Sequence, residues 1–409
     1  MGKLNGAYAL ASSVCLGLCA PLALASDLQW NGFMSAGGGM ASEDGLAGYD
    51  EDLSFNNETI LGLQLKGSIS DKLSATGQLV ARGTEDMKAE MAWAYLSYAA
   101  TDNTTLRLGR FRTPFYLYSD FLEVGYAYHW ISPPSDVYSL PADSIDGIDI
   151  VNNSSFAGID LTTQFYVGSI NSGFTQGGEE IDTRIRDQAG LALTFNWEWL
   201  TLRLSHHEAQ KVSFNGLENV YVDPAIGTIG DLQDALNAMS AGLNDPGYTQ
   251  AANNLSVQDE RFTFDEMGVK VEWNNLLVVA EMTQLKADSG PLGQQNRAYV
   301  SVGYTFGPVM LHVTQSQAND DAADIADTIT VLDPAIYGPT LAAQTAGMAM
   351  AVDGLAQNFV ATDRTTNTVG MRWDFTPGAA FKLEVSDIDD ATDADASGQI
   401  YRFVVDTVF

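Results

Sequence analysis

The chain has 409 residues, with 52 acidic and 20 basic side chains and a formal net charge of −32. This acidity argues against nucleic acid as a partner, because nucleic-acid binding depends on basic side chains that neutralise phosphates. Both cysteines, Cys15 and Cys19, lie near the N-terminus, and the chain beyond them has none. Disulfides, thiol catalysis and thiolate metal sites are therefore excluded after that point.

The N-terminus has the pattern of a secretory signal peptide. Lys3 supplies a positive charge, residues 7–24 are apolar apart from small polar side chains, and Ala23 and Ala25 form an A-x-A cleavage site. A transmembrane helix is the alternative, but the apolar run is short and lacks basic residues on its C-terminal side. We predict a signal peptide over 1–25 and a single barrel domain over 26–409.

The rest of the chain alternates between apolar and polar residues with the period of two that is typical of β-strands. The first clear hairpin has Leu61, Leu63 and Leu65 on one face, with Gln64 and Lys66 on the other. Segments of this kind recur to the C-terminus and predict about sixteen strands of roughly ten residues, long enough to cross a bilayer when tilted. They lie at 27–36, 57–69, 73–83, 88–99, 104–113, 146–152, 156–169, 183–197, 199–209, 260–274, 276–287, 295–306, 309–318, 364–376, 380–388 and 398–409.

The connections between these segments alternate in length. The short ones lie at 70–72, 100–103, 152–155, 196–198, 274–275, 307–308 and 376–379, and the long ones at 37–56, 84–87, 114–145, 170–182, 210–259, 288–294, 319–363 and 389–397. A barrel with both termini in the periplasm has short turns on that side and long loops outside. In a soluble β-sandwich, short and long connections are not expected to alternate in this way.

Aromatic residues mark the expected membrane boundary and the end of the chain. Those beside the short turns are Phe195, Trp197, Trp199, Trp273, Tyr304, Phe306, Trp373 and Phe375, as expected of an interfacial girdle. In the last strand, Tyr401, Phe403, Val405 and the terminal Phe409 share one face. This ending resembles the assembly signal of outer-membrane barrels, which implies the barrel-assembly machinery as a partner.

These patterns predict an all-β fold, a 16-stranded antiparallel transmembrane β-barrel with long extracellular loops and short periplasmic turns. The third long loop, 114–145, contains several tyrosines, Trp130, Pro133 and Pro134, which favour a compact, packed loop over a mobile tip. We expect it to fold inward, and an ordinary extracellular loop is the alternative. Residues 231–243 and 339–351 in two other long loops are predicted to form short helices.

The passage from Leu106 to Asp120 resembles Gram-negative porins related to the phosphate-selective porin group. Gly109, Phe111, Pro114 and Phe115 match the segment that leads into their inward-folded loop. The resemblance implies a trimeric outer-membrane porin that passes small hydrophilic solutes by passive diffusion. The loop departs from the phosphate-selective members because it is acidic where they are basic.

The predicted barrel places most basic residues on the inner face. We expect a pore constriction formed by Arg82, Arg107, Arg110 and Arg112 opposite the acidic loop residues Asp120, Glu123 and Asp136. Further basic residues expected in the lumen are Lys66, Arg203, Arg372 and Arg402, together with Arg184, Arg186 and Lys382. Such a transverse field would orient dipolar solutes. The alternative for each arginine is that it only neutralises nearby carboxylates.

We find no pattern for catalysis, a cofactor or a metal. His206, His207 and His312 are not near a serine motif, and the calcium-loop-like run from Asp393 has Val404 where glutamate is needed. An enzyme is therefore not expected. The competing hypothesis is a surface receptor or adhesin barrel whose loops 210–259 and 319–363 bind a partner. Expected partners of the porin are membrane lipid, lipopolysaccharide, two further copies of the chain and small hydrophilic solutes.

Overall fold

The computed structural model describes residues 28–140, 143–176, 178–360 and 362–409. The predicted signal peptide, 1–25, lies outside the described residues. Within them, sixteen antiparallel strands form one closed barrel in which the first strand pairs with the last. The predicted fold class is confirmed.

The barrel strands follow one another around the wall in chain order. They are β1 (Leu28–Ala41), β2 (Ile60–Ser68), β3 (Leu73–Arg82), β4 (Ala89–Ala99), β5 (Thr104–Arg112), β6 (Ser144–Phe156), β7 (Ile159–Gln176), β8 (Glu179–Trp197), β9 (Leu200–Asn215), β12 (Glu260–Trp273), β13 (Leu276–Ala287), β14 (Gln294–Phe306), β15 (Val309–Asp321), β16 (Thr362–Thr376), β17 (Ala379–Asp390) and β18 (Gly398–Val408). Strands β10 (Tyr221–Asp223) and β11 (Gly227–Thr228) form a separate two-stranded sheet in a loop.

The outside of the barrel is apolar, as a lipid-facing surface must be. Leu63, Leu108 and Val369 are among many large apolar side chains that remain exposed there, and Trp273 and Trp373 lie exposed beside the short turns. A water-soluble protein would not present so much apolar surface. The exterior and the closed barrel together are those of an outer-membrane protein, the class in which such barrels occur.

Strands β7, β8 and β9 are longer than the sequence pattern indicated. The predicted loop 170–182 is mostly strand, because β7 continues to Gln176 and β8 begins at Glu179. A β-bulge with Asp187 in the left-handed conformation interrupts β8 and moves the residues before it to the opposite face. Arg184 and Arg186 are consequently exposed on the outside of the barrel, and the expectation that they face the lumen is wrong.

Two long loops form a helical cap on the extracellular end. Its helices are α1 (Ile229–Leu243), α2 (Pro246–Asn254), α3 (Pro334–Tyr337) and α4 (Pro339–Val360), and the two predicted helices are confirmed within α1 and α4. Thr228 and Asp231 form a capping box at the start of α1. Leu236, Tyr248 and Val352 are buried in a core shared with the upper ends of β8 and β9. None of these helices is long and apolar enough to cross a bilayer.

Candidate pore constriction

The third long loop lies inside the barrel, and we call its described residues, 113–140 and 143, the constriction loop. It leaves β5 and reaches the opposite wall, where Arg203 of β9 donates to the Pro114 carbonyl and Glu281 of β13 accepts from the Leu117 amide at 3.0 Å. It then returns across the lumen to β18, where Asp406 lies against Gly125. The expectation that this loop folds inward is confirmed, and its crossing narrows the lumen.

An aromatic core keeps the constriction loop compact. Phe115, Tyr116, Tyr118, Tyr128 and Trp130 are all buried in one cluster with residues of the wall. Trp130 is only 2% exposed, and its indole N–H donates to the Thr314 hydroxyl at 2.8 Å. The tyrosine-rich composition that predicted a packed loop therefore forms the contact between the loop and strands β12–β15.

Ion pairs hold one side of the constriction loop to the wall. Arg82 of β3 binds Glu123 at 2.6 Å, and Arg112 binds Glu123 at 3.3 Å and also Asp143. The sequence placed these acidic residues opposite the arginines across the constriction. In the structure the loop crosses far enough for Glu123 and Asp143 to contact Arg82 and Arg112 directly.

Asp136 is a second anchor of the constriction loop. It is 2% exposed, binds Arg364 of β16 at 2.7 Å and accepts from the Ser316 hydroxyl at 2.6 Å. The expectation that it faces the pore is therefore wrong. A buried carboxylate must be paired to be tolerated, and the wall supplies both a charge and a hydroxyl.

Strands β17 and β18 supply a buried charge network that the sequence prediction assigned only in part. Lys382 pairs with Asp406 at 2.8 Å and donates to the Gly125 carbonyl of the constriction loop at 2.6 Å. Arg402 pairs with Glu384 at 2.6 Å, and Glu384 also accepts from the Ile131 amide at 2.9 Å. Alternation predicted that Lys382 and Arg402 face inward, and the structure adds that both side chains bind the constriction loop.

Two of the predicted constriction arginines, Arg107 and Arg110, lie on opposite faces of β5. Arg107 faces inward and makes a bidentate ion pair with Asp149 of the neighbouring strand, in which one hydrogen bond measures 2.9 Å. Arg110 faces outward, on the same side of β5 as Leu108, and pairs with Asp146 at 2.7 Å. The prediction that Arg110 lines the constriction is wrong, because alternation along β5 puts Arg107 and Arg110 on opposite faces.

The remaining predicted lumen residues face the interior. Arg203 pairs with Glu266 at 3.3 Å, and Arg372 donates to the Tyr128 carbonyl of the constriction loop at 2.6 Å. Lys66 and Asp120 are exposed. Asp120 also lies close enough to Arg107 to interact with it electrostatically. Lys66 and Asp120 are the most exposed inward-facing charges of the predicted set, while Arg82 and Arg107 remain partly exposed at 19% of their side-chain surface.

His129 is buried in the contact between the constriction loop and the wall, where it is 3% exposed. Its Nε2 lies 2.8 Å from the Ser301 hydroxyl, and the ring stacks beside Trp130. Burial lowers the pKa of His129 well below its ordinary value, and the nearby His312 and Lys382 lower it further. His129 therefore stays neutral at physiological pH and adds no charge to the lumen.

The C-terminal residue closes the barrel. Phe409 accepts a backbone hydrogen bond from Gly32 at 2.7 Å and donates one back at 2.9 Å, and its ring occupies the space beside Gly32. Tyr401 and Phe409 are exposed on the outer face. Phe403, Val405 and Thr407 share their parity, which agrees with the predicted alternation. Among the described residues there is no group of three or more side chains that could hold a metal ion.

Comparisons with known proteins identify the fold and no more. No family model matches the chain, and no curated protein matches it. Among solved structures, the chain is similar to Salmonella typhi OmpF in complex with daunomycin (10% identity over 93% of this chain and 97% of that chain, TM-score 0.56). It is also similar to a loop-deletion mutant of OmpT, an outer membrane protein of Vibrio cholerae (10% identity, 94% and 99% covered, TM-score 0.55).

A third similar structure is the outer membrane channel DcaP of Acinetobacter baumannii (10% identity, 94% and 97% covered, TM-score 0.53). Coverage above nine-tenths on both sides means that the whole described barrel, and not one motif, carries the likeness. The chain therefore has the fold of the 16-stranded outer-membrane porins.

Proposed function

We propose that the chain is an outer-membrane porin, a water-filled channel through which small hydrophilic solutes and ions diffuse passively. The observation that carries this proposal is the constriction loop inside the closed barrel. Ion pairs attach the loop to β3 and β16, and hydrogen bonds from the buried charges attach it to β17 and β18, so the loop is held at a set position in the lumen. A structure of this kind selects solutes by size and charge without closing.

The experiment is single-channel recording in a planar bilayer with the mature protein. We expect ohmic steps that persist without a ligand. A variant in which residues 116–138 are replaced by a short glycine-serine linker should give larger steps, because it removes the obstruction and leaves the wall intact. A folded, heat-modifiable barrel that shows no steps would contradict the proposal.

The receptor or adhesin alternative is not favoured. The loops on which it rested, 210–259 and 319–363, form the helical cap, and their apolar side chains are buried in a common core with Ile181 and Phe214 of the barrel. The cap is thus part of the barrel's own packing, and we propose that it shapes the entrance for solutes.

We also propose that the porin is a homotrimer. Arg110 and Asp146 pair on the outer face of β5 and β6, between the lipid-exposed side chains of Leu108 and Ile148. A basic residue on the lipid face costs about 2–4 kcal/mol near the bilayer centre, so contact with another protein surface is the more stable arrangement. Arg110→Glu should reduce the trimer on semi-native gels, whereas Lys211→Glu, in a second outward ion pair, should leave it intact.

Export and assembly are proposed to follow the two ends of the chain, a signal peptide over 1–25 and recognition of the C-terminal strand by the barrel-assembly machinery. Deleting Phe409 removes its ring and both of its hydrogen bonds to Gly32, while Val408→Ala shortens an inward side chain. The deletion should lower the outer-membrane level more than the substitution does. Equal levels of the two variants would contradict the assembly role.

A further inference from the structure

Five basic side chains lie close together on the outer wall of the barrel, at the extracellular ends of four neighbouring strands. Arg184 and Arg186 belong to β8, Lys211 to β9, Arg261 to β12 and Lys286 to β13, and these strands are consecutive around the wall. We call these five residues the outer basic patch. The whole chain has only 20 basic residues against 52 acidic ones, so the patch concentrates a scarce charge in one area of the outer wall.

Two β-bulges turn part of the patch outward. Residues 186–187 of β8 lie opposite one residue of β7, and residues 210–211 of β9 lie opposite one residue of β12. All four of these consecutive residues are exposed, whereas a regular strand would turn one of each pair inward. The bulges thus bring Arg186 and Lys211 to the outer surface, where they are direct cross-strand neighbours.

The patch lies at the height of the outer headgroup layer. Trp197, Trp199 and Trp273 are exposed at the periplasmic ends of the same strands, and residues 186–197, 199–211 and 261–273 connect them to the patch. About 12 residues of a strand tilted by about 40° rise about 30 Å, whereas the apolar band of a barrel is about 25 Å tall. The basic side chains therefore lie just beyond the apolar band, at the level of the charged groups of outer-leaflet lipids.

The chain itself neutralises only part of this charge. Lys211 pairs with Asp187 at 2.9 Å. Arg261 pairs with Glu208 and with Asp288. The other three members of the patch form no ion pair with another described residue: Arg184, Arg186 and Lys286. Like charges directly opposite each other on neighbouring strands destabilise a sheet, so an anion bound between Arg186 and Lys211 would stabilise this part of the wall.

A depression of about 570 Å³ in the outer wall lies directly beside the patch. Arg186 and Asn171 line it toward the extracellular side, and Val167 and Ala189 line it toward the middle of the bilayer. Leu191, which is exposed to lipid, continues the apolar surface below it. The depression is thus polar at its outer end and apolar at its inner end, which matches the headgroup and the acyl chain of a membrane lipid.

The arginines favour phosphate as the charged group of that lipid. A guanidinium keeps its charge and can donate two parallel hydrogen bonds to one phosphate. Arg184 and Arg186 lie on the same face of one strand, about 7 Å apart along it, so both side chains can reach a single phosphate group. In the outer leaflet of an outer membrane, phosphate groups are carried by lipopolysaccharide.

We propose that the outer basic patch binds the phosphorylated headgroup of lipopolysaccharide, with a phosphate between Arg184, Arg186 and Lys211 and an acyl chain in the depression. The proposal goes beyond the channel function, because the site lies on the outside of the barrel and depends only on the outer-membrane location. Lipid binding and conductance can therefore fail separately.

The test is native mass spectrometry of the detergent-solubilised mature barrel, titrated with diphosphorylated lipid A and with the same lipid after both phosphates have been removed. EDTA is present, so that divalent ions cannot bridge acidic side chains to phosphate. Arg184→Gln combined with Arg186→Gln should weaken the binding of lipid A about thirtyfold, from about fivefold for each basic residue at an anionic surface. The binding of the dephosphorylated lipid should not change.

Lys72→Gln combined with Lys88→Gln is the matched control, because it removes the same charge from exposed positions outside the patch. It should bind lipid A like the unaltered protein, and heat modifiability on gels verifies the fold of both variants. Equal affinity of the arginine variant and the unaltered protein would overturn the proposal, and so would an equal loss in the lysine control. Displacement of lipid A by an equal concentration of inorganic phosphate would also overturn it, because the site would then take free phosphate. Conductance without lipid A binding would overturn it and leave the porin function in place.

Discussion

The two sides of the lumen treat buried polar groups in opposite ways. On β17 and β18, Lys382, Glu384 and Asp406 are buried charges, and each has an oppositely charged or hydrogen-bonding partner in the wall or the constriction loop. On β8, Thr183 and Gln188 are buried beside apolar side chains, and each has one polar atom without a hydrogen-bond partner among the described residues. The first arrangement holds the chain's own loop in place. The second leaves polar atoms buried without a partner, at a cost of about 1–3 kcal/mol each.

The largest effect should come from breaking the charged side. Lys382→Met leaves Asp406 buried without its cation, and losing one member of such a pair destabilises a protein by about 3–5 kcal/mol. We expect a lower unfolding temperature together with larger, noisier conductance steps, because the constriction loop loses its attachment at Gly125.

Lys270→Met is the matched control, since Lys270 also faces the lumen but pairs with the well-exposed Glu272. Such a pair contributes about 0–1 kcal/mol. If both lysine variants unfold at the same temperature, the Lys382 network does not hold the loop as described.

The next effect should follow from Arg82→Ser. This change removes the 2.6 Å contact with Glu123, and hydrogen bonds to charged groups contribute about 1.5–3 kcal/mol. The loop should become looser on this side, and one positive charge leaves the lumen. Conductance and the cation-to-anion permeability ratio, read from reversal potentials, should both rise. Lys88→Ser removes an equal charge from an exposed pair with Asp86 and should change neither; a response of equal size there would make the effect one of overall charge.

A pair of isosteric changes contrasts the two sides directly. Thr314→Val leaves the buried indole N–H of Trp130 without its 2.8 Å acceptor and should destabilise the barrel by about 1–3 kcal/mol. Thr183→Val removes a buried hydroxyl that has no partner among the described residues and should stabilise it by about 1 kcal/mol. Urea unfolding followed by tryptophan fluorescence measures both. Shifts of the same sign would remove the distinction between the two sides.

The smallest effect is expected for Asp120, which is exposed within the constriction loop. Asp120→Asn should shift the reversal potential slightly toward anions and leave stability unchanged, because its charge is partly screened by water and salt. Asp102→Asn, on an exposed periplasmic turn, should leave the reversal potential unaltered. A larger shift from Asp102 than from Asp120 would place the selective region outside the constriction loop.

The alternation of apolar and polar residues predicted which face of the barrel a side chain lies on only where no β-bulge intervenes. It predicted an inward orientation for five arginines, each of which contacts the constriction loop or a neighbouring carboxylate of the inner face in the structure: Arg82, Arg107, Arg203, Arg372 and Arg402. It misplaced Arg184 and Arg186, because the bulge at Asp187 shifts the period by one residue and no residue type in the sequence marks a bulge there. Arg110 was assigned to the constriction for its closeness in sequence to the loop, although its own parity puts it outside.

The sequence by itself determined the barrel, its strand number, the inward loop and the helices of the cap. These features depend on periodicity, turn length and composition, and all three can be read from residues that are close together in the sequence. Only the tertiary structure decided that Glu123 and Asp136 bind the wall and do not face water, and that bulges in β8 and β9 bring basic side chains together on the outer wall. Contacts such as Arg364 with Asp136 join residues 228 positions apart, and the path of a loop across the lumen decides which distant charges meet.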